Sequence, residues 1–247
     1  MSFASTWAPN AQRPRDITFR LTEDAVDASL LRMGADEIDL LQLSWNDFEN
    51  PAFNDALYQL CELQRAGKVR HIGVIDFEEA PLKEAIGNGF QVTSNNMKCS
   101  MINLPSQGLL DLCEAQNVQL IARAVLLGGL LSDRWLLKSD KMTASLSAAE
   151  VRHFPSITQW AGGTRGRWDQ FQRLLKNTRE VSEKYSATIA TVAIRRVLDS
   201  PAIGAAVIGS SLEETSDYSP QDLVKALEMS LDRDALDYLD RATAPRK

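Results

Sequence analysis

Short apolar runs alternate with longer amphipathic segments along most of this chain. The runs at 38–43, 69–74 and 118–122 have the length of buried strands, and the segments between them carry apolar residues at helical spacing. This alternation is typical of βα units, in which parallel strands lie beneath covering helices. It predicts an α/β fold and a single domain over residues 1–247.

The pattern places the remaining elements with the help of glycines at predicted helix ends. The predicted strands cover 38–43, 69–74, 91–94, 118–122 and 202–208. The predicted helices cover 22–33, 51–66, 80–86, 107–116, 168–185 and 188–198, with further helical segments in 220–242. Residues 132–166 are interpreted as a long insertion loop over the carboxyl ends of the strands, where barrel loops usually cover a pocket.

Composition narrows the possible partners. The chain has 247 residues, 44% of them hydrophobic, and a net charge of -6, so it can bury a substantial core but has no broad cationic surface for nucleic acid. Residues 1–15 lack the features of a secretory signal, and Arg123 interrupts the most apolar run. We therefore expect a cytoplasmic protein that does not bind membranes. Cys61, Cys99 and Cys113 lack CxxC spacing, so neither a disulfide framework nor a zinc site is predicted.

Several longer motifs resemble one family. The segments are IDLLQLSWNDF at 38–48, LQRAGKVRHIGV at 63–74, VTSNNMKCSMIN at 92–103, LLGGLLSDRWL at 126–136 and SATIATVAIRRVLDSPAIGAAVIGSSL at 186–212. Together they resemble the aldo-keto reductases over nearly the whole chain. The resemblance implies an incomplete TIM-type (β/α) barrel that lacks the first two strands and keeps about six parallel strands, with SFASTWAP at 2–9 as the family's third strand.

An open barrel exposes the edges of its outer strands, which something must cover. A homo-oligomer in which two copies of the chain cover these edges is the favoured expectation. A contracted arrangement of six strands, with the carboxyl-terminal helices over the gap, is a second possibility. A separate chain that supplies the missing part is a third.

The resemblance also shows changed catalytic positions. The family's catalytic histidine aligns with Ser44 and its catalytic lysine with Thr6, while the aspartate and tyrosine of the tetrad fall in the strands that this sequence lacks. A serine hydroxyl donates a hydrogen bond but does not titrate near neutral pH as imidazole does. Proton donation to the developing alkoxide typically contributes ~10²–10⁴ in rate, so loss of hydride transfer is predicted.

The positions that face the nicotinamide in the family differ as well. Its polar pair after the fifth strand is Ile75 and Asp76 here, and its glutamine on the sixth strand is Asn96. The tyrosine that stacks on the nicotinamide is replaced by Arg123. The arginine that grips the phosphate is replaced by Ser211, so Ser210 and Ser211 are interpreted as a vestigial NADPH site at best, and no cofactor is expected.

The candidate catalytic residues all lie at or after predicted strand ends, where barrel enzymes gather their active groups. Asp76 is predicted to transfer protons, Arg123 to stabilise an anion, and Ser44 and Asn96 to orient the substrate. An alternative is that Asp76 and Arg123 form a structural ion pair. The predicted substrate pocket contains Thr6, Trp7, Trp45, Lys98 and Trp135, although these aromatic rings equally suit simple packing.

Three functional hypotheses follow. The first is a cofactor-independent isomerisation, dehydration or cyclisation of a small organic molecule, in specialised metabolism. The second is a non-catalytic binding or scaffold subunit. The third is an NADPH-dependent carbonyl reductase completed by a partner chain.

Neither His71 nor His153 is placed to form a triad with a serine, and the sequence shows no metal-ligand spacing.

Overall fold

The structure is a computed structural model that describes residues 4–9, 17–139, 146–161, 167–209 and 218–243. Its strands are β1 (Ala4–Trp7), β2 (Ile38–Ser44), β3 (Val69–Ile75), β4 (Val92–Lys98), β5 (Gln119–Arg123) and β6 (Ile203–Val207). Its helices are α1 (Phe19–Met33), α2 (Phe53–Arg65), α3 (Glu79–Gly87), α4 (Gln107–Ala115), α5 (Ala148–Trp160), α6 (Arg167–Lys184), α7 (Ile189–Leu198), α8 (Pro220–Glu228) and α9 (Arg233–Thr243).

The six strands form one sheet in the order β1-β2-β3-β4-β5-β6. The neighbouring pairs from β1 to β4 are parallel. A sheet in chain order, with a helix between most successive strands, is the arrangement that βα units produce. β1 and β6 end this order, so the sheet of the described residues is open. The predicted α/β fold with about six parallel strands is confirmed.

The chain divides into two compact units. The first contains Met1–Met97 and Ser106–Ile121, and the second contains Lys98–Pro105 and Ala122–Lys247. The prediction of a single domain over residues 1–247 stays a prediction.

Local signals explain where α1 and β4 begin and end. α1 starts at Phe19, before the predicted residue 22, because the Thr18 side chain accepts a hydrogen bond from the Leu21 amide at 3.3 Å. Gly34 ends the helix in the left-handed region, at φ 61°, as predicted. β4 continues to Lys98, beyond the predicted residue 94. The polar residues of β4 do not form the apolar run from which a buried strand is predicted.

The core of the first unit lies between the sheet and its helices. Leu41, Leu43 and Val74 are at most 1% exposed, and α2 packs against β3 with Leu57 and Leu60 fully buried. Complete burial of one such side chain contributes about 1.5–3 kcal/mol. Apolar residues of the runs from which these strands were predicted therefore lie on the face that packs against the helices.

The core of the second unit contains two tryptophans. The ring centroids of Trp135 and Trp168 are 5.9 Å apart in an edge-to-face arrangement. Beside them, the Asp133 carboxylate accepts from Arg179 Nη1 at 2.8 Å and from the Ile189 amide at 2.9 Å. Asp133 thereby joins α6 to the first turn of α7.

The segment predicted as an insertion loop contains regular structure. A short 3-10 turn at Asp133–Trp135 precedes α5, which starts with a capping box between Ser147 and Glu150. The sequence carries the corresponding signal, a serine followed three residues later by a glutamate. Where the structure describes it, most of residues 132–166 is helix, not loop.

The outer strands are the least covered part of the sheet. Ala4 and Thr6 of β1 are exposed, and Val207 of β6 is 52% exposed. Coverage of these strands by a second copy of the chain stays a prediction.

Within the described residues, every helix is too short or too polar to cross a bilayer. Cys99 and Cys113 are buried, and burial raises their thiol pKa values to about 12 and about 11.

Candidate functional site on the polar face of the sheet

In the first unit, the two faces of the sheet differ in chemistry. Residues paired in register on neighbouring parallel strands share a face, and successive residues along one strand alternate between faces. Leu43 and Val74 are paired on the face covered by helices. The opposite face carries two rows of paired residues: Thr6, Gln42, Gly73 and Ser94 form one row, and Ser44, Ile75 and Asn96 form the next.

Gly73 allows the polar side chains of the first row to approach one another. A Cβ atom at position 73 would lie 2.4 Å from Ser94 Oγ and 3.3 Å from Gln42 Cγ. Any larger residue would therefore displace these side chains. The Gln42 side chain extends from β2 to β4, where its Oε1 accepts from Asn96 Nδ2 at 3.4 Å. The close approach between Gln42 and Ser94 thus depends on the absence of a side chain at Gly73 on β3.

This polar niche, formed by Gln42, Gly73, Ser94 and Asn96, retains unused hydrogen-bonding capacity. Gln42 Nε2, Ser94 Oγ and Asn96 Oδ1 are buried and have no hydrogen-bond partner among the residues that the structure describes. A buried polar atom without a partner typically costs about 1–3 kcal/mol. Three such atoms in one niche lower the stability of the fold. A polar niche with this cost is better explained by binding than by packing.

The carboxyl ends of the strands bring three predicted catalytic residues to one edge. Ile75 separates Ser44 from Asn96, so the two lie about two strand spacings, roughly 10 Å, apart. The Asp76 amide donates to the Asn96 carbonyl at 3.0 Å. Ser44, Asp76 and Asn96 are each partly exposed. The edge is therefore accessible, and the niche forms a buried polar floor.

Asp76 has an uncommon backbone conformation. Its φ is 57°, in the left-handed region. Residues other than glycine adopt this region at a cost of roughly 1–2 kcal/mol, and aspartate and asparagine adopt it most readily. The chain turns sharply at the end of β3, and Asp76 stands at that turn.

Among the predicted pocket residues of the first unit, Thr6 shares the polar face but Trp7 does not. Trp7 is paired in register with Leu43, on the helix-covered face. On the same face of β1, Ser5 Oγ donates to Ser29 Oγ of α1 at 3.4 Å. This placement supports packing for Trp7, the alternative considered from sequence.

Trp45 is also placed in the core. It is 2% exposed, its Nε1 donates to the Asp47 carbonyl at 2.8 Å, and its ring meets Phe53 edge to face at 6.4 Å. Phe77 lies 5.5 Å from Phe53 and extends the same aromatic cluster. The structure supports packing for Trp45, which the sequence assigned to the pocket.

The other predicted site residues belong to the second unit. Lys98 is exposed at the end of β4, and Arg123 is partly exposed at the end of β5. Trp135 is 1% exposed, and its Nε1 donates to Glu150 Oε1 at 2.6 Å. Trp135 therefore packs in the interior of its unit, whereas the sequence assigned it to the pocket.

The predicted vestigial cofactor residues, Ser210 and Ser211, lie outside the described residues. In the part of the chain that the structure describes, no group of three or more histidine, cysteine, aspartate or glutamate side chains could hold a metal ion.

Sequence reasoning missed Gln42, Gly73 and Ser94. The signal was present, because Gln42 and Ser94 stand two residues before Ser44 and Asn96 and therefore share their face. A glutamine inside an otherwise apolar strand, and a glycine inside a strand, both indicate an unusual local environment.

Comparison with known proteins identifies the family. The model of the Aldo/keto reductase family matches residues 10–244. The chain belongs to this family. An aldo-keto reductase of Babesia bovis is 28% identical over 222 residues, which are 76% of this chain and 74% of that protein. Glyoxal reductase of Bacillus subtilis is 29% identical over 136 residues, 55% of this chain and 49% of the reductase.

A further relative is flagellar radial spoke protein 5 of Chlamydomonas reinhardtii. It is 29% identical over 181 residues, 66% of this chain, and the match spans 33% of its own length. This chain therefore covers about a third of that relative.

Solved structures of the family share the fold. An aldo-keto reductase from Bacillus halodurans, in its holo form, superposes with a TM-score of 0.72 and 17% identity, and the match covers 100% of this chain and 73% of that one. A glycerol dehydrogenase from Gluconobacter oxydans gives a TM-score of 0.72 at 19% identity, covering 96% and 67%. At these identities the likeness establishes the fold.

Proposed function

We propose that this aldo-keto reductase family member binds a small polar organic molecule at the polar face of its first unit and transforms it without hydride transfer. Isomerisation, dehydration and cyclisation are the reaction types that fit. The observation that carries the proposal is the polar niche with its three buried atoms that lack partners among the described residues, lying under the edge formed by Ser44, Asp76 and Asn96.

The substituted positions argue against carbonyl reduction. Thr6 and Ser44, at the positions of the family's lysine and histidine, both lie on the polar face of the sheet. Neither hydroxyl titrates near neutral pH, so neither can supply the proton that a developing alkoxide requires.

The residues at the family's nicotinamide positions fit that group poorly. Ile75 lies between Ser44 and Asn96 and offers the carboxamide no side-chain hydrogen bond. In the second unit, Arg123 brings a positive charge instead of an aromatic ring. No step of the proposed chemistry involves a dinucleotide.

The three edge residues have distinct proposed roles. Asp76 transfers a proton to or from the bound molecule, since it is the carboxylate among them. Ser44 donates a hydrogen bond to a carbonyl or hydroxyl oxygen, and Asn96 orients a second polar group of the ligand. The role of Arg123 as an anion stabiliser for this step stays a prediction.

The test is metabolite profiling of a cell extract incubated with the purified chain, with and without added NADPH. Isomerisation or cyclisation converts one compound into another of equal mass, and dehydration removes one water. Reduction instead adds two hydrogen atoms and requires the dinucleotide. We expect a conversion of the first kind that is independent of NADPH.

Asp76→Asn is the decisive variant, because asparagine tolerates the left-handed backbone and keeps the size of the side chain. We expect conversion to fall by ~10²-fold or more. Glu78→Gln, at an exposed site two residues away, is the matched control and should retain full conversion. Unchanged conversion by Asp76→Asn, or dependence on NADPH, would contradict the proposal.

A scaffold role is the second candidate, favoured by the similarity to flagellar radial spoke protein 5. In that case the chain would convert nothing in the extract, and Asp76→Asn would leave its assembly with other proteins unchanged. Affinity purification from the native source, comparing the wild-type chain with Asp76→Asn, separates this candidate from the enzymatic one.

A further inference from the structure

Helix α1 in the first unit places its polar and apolar residues in an unusual way. Its buried residues are Thr22, Val26 and Ser29, and two of these three are polar. Leu21 and Leu31 are instead 54% and 84% exposed. A surface helix normally turns its large apolar residues toward the core. The outward side of α1 is therefore suited to contact with another protein surface.

Five exposed residues form this outward side, which we call the open face of α1: Leu21, Asp24, Ala28, Leu31 and Arg32. Their spacing of i, i+3, i+7, i+10 and i+11 places them on one side of a helix with 3.6 residues per turn. Ala28, near the centre, carries only a methyl group, so a second helix can approach closely there. Asp24 and Arg32 lie one turn before and one turn after it.

The contacts of α1 show which neighbour the open face borders. The Thr22 hydroxyl donates to the side-chain oxygen of Gln59 on α2. At the other side of the helix, Ser29 Oγ accepts from Arg32 Nη2 at 2.9 Å and from Ser5 Oγ of β1 at 3.4 Å. The open face therefore borders β1 and is turned away from α2.

Strand β1 offers an edge next to this face. It begins the strand order and pairs only with β2 among the described strands. Ala4 and Thr6 are exposed, and the four residues of β1 include neither proline nor a charged residue, which commonly prevent edge strands from pairing. The free edge of β1 can therefore accept another strand.

We propose that a second copy of this chain docks on the open face of α1 and on the edge of β1. A two-fold axis near Ala28 makes the two α1 helices antiparallel, so that Asp24 of each copy faces Arg32 of the other. One symmetric contact thus forms two ion pairs, because the charges of the open face are complementary to those of the same face in the second copy.

The same axis pairs the two β1 strands. Since α1 is joined to β1 through Ser29 and Ser5, a rotation that brings the helices together also brings the strand edges together, in antiparallel orientation. Helices that pack are about 8–10 Å apart and paired strands about 4.8 Å. This surface serves assembly, involves neither Asp76 nor the polar niche, and goes beyond the function proposed above.

Sedimentation velocity over a wide range of protein concentration tests the dimer. The wild-type chain should sediment with twice the mass of the 27.4 kDa chain. Asp24→Arg places an arginine opposite Arg32 at two symmetric positions, so it should raise the dissociation constant of the dimer at least about tenfold. The exchange Asp24→Arg/Arg32→Asp should restore the dimer. Glu114→Arg, the same change of charge at an exposed site on α4, is the control and should leave it unchanged.

Cross-linking tests the position of the two-fold axis. Ala28→Cys, in a Cys61→Ser background, should give a covalent dimer with a short thiol cross-linker. Cys99 and Cys113 are buried and should not react. Glu114→Cys in the same background should give monomer only.

Three outcomes would overturn the proposal. They are a wild-type chain that stays monomeric at every concentration, a dimer that Asp24→Arg leaves unchanged, and a failure of Ala28→Cys to cross-link. A monomeric chain would leave the open face to a different protein. Circular dichroism confirms that each variant is folded, and none of these results depends on the metabolite experiment.

Discussion

The two faces of β2, β3 and β4 hold adjacent residues in opposite environments. Asn95, on the helix-covered face, is 0% exposed, and both polar atoms of its side chain are hydrogen-bonded. Its Nδ2 donates to the Phe77 carbonyl at 2.6 Å, and its Oδ1 accepts from the Phe77 amide at 3.3 Å. Asn96, on the polar face, has an Oδ1 without a partner in the described part of the chain.

The contrast extends to other neighbours along the same strands. Leu43 is fully buried under helices, whereas Ser44 is partly exposed at the edge of the polar face. Proteins commonly tolerate incomplete hydrogen bonding where a surface serves a function. The helix-covered face is therefore closely packed, whereas the opposite face keeps buried polar atoms that have no hydrogen-bond partner among the described residues.

Leu43→Ala should have the largest effect, since it removes a fully buried side chain from the helix-covered face. We expect the free energy of unfolding to fall by about 3 kcal/mol. Chemical denaturation monitored by tryptophan fluorescence measures it. A loss below about 1 kcal/mol would mean that this face is less tightly packed than the structure indicates.

Asn95→Ala and Asn96→Ala compare the faces with one chemical change. Asn95→Ala leaves the Phe77 amide and carbonyl without their partner, so we expect a loss of about 2 kcal/mol. Asn96→Ala should cost less than about 1 kcal/mol, because its side-chain hydrogen bond to Gln42 is long at 3.4 Å. The same denaturation assay measures both, and equal losses would remove the distinction between the faces.

Gly73→Ala tests the close approach in the polar niche. The added methyl group would lie 2.4 Å from Ser94 Oγ, and we expect a loss of about 1.5 kcal/mol. The double variant Gly73→Ala/Ser94→Ala should recover part of this loss because the clashing oxygen is gone. Gly87→Ala, where a Cβ atom meets nothing within 4 Å, is the matched control and should be neutral or slightly stabilising.

Ser94→Ala has the smallest expected effect and the opposite sign. It removes a buried hydroxyl that has no partner among the described residues, so we expect a gain in the free energy of unfolding of about 1 kcal/mol. Differential scanning calorimetry detects such a gain as a higher Tm. A clear loss of stability would show that the hydroxyl supports the fold, and would weaken the case for a binding role of the niche.

Local patterns predicted much of the fold. Apolar runs located β2, β3 and β5, and capping residues such as Gly34 marked helix ends, because these signals arise from residues near one another in the chain. β4 was predicted too short, because its inner positions are polar. Among the predicted site residues, Ser44, Asp76 and Asn96 lie along one edge of the sheet, whereas Trp45 and Trp135 are buried and Trp7 lies on the helix-covered face. Their predicted roles stay predictions.

The sequence by itself determined the family, the order of the strands and of the helices other than α5, and the substitutions at Thr6 and Ser44. Only the tertiary structure decided which polar side chains meet. Strand register is set by pairing between distant segments, and a shift of one residue moves every side chain to the other face. That register, together with the absence of a side chain at Gly73, places Gln42 within hydrogen-bonding distance of Asn96. It also places Asn96 and Asn95 on opposite faces of the sheet.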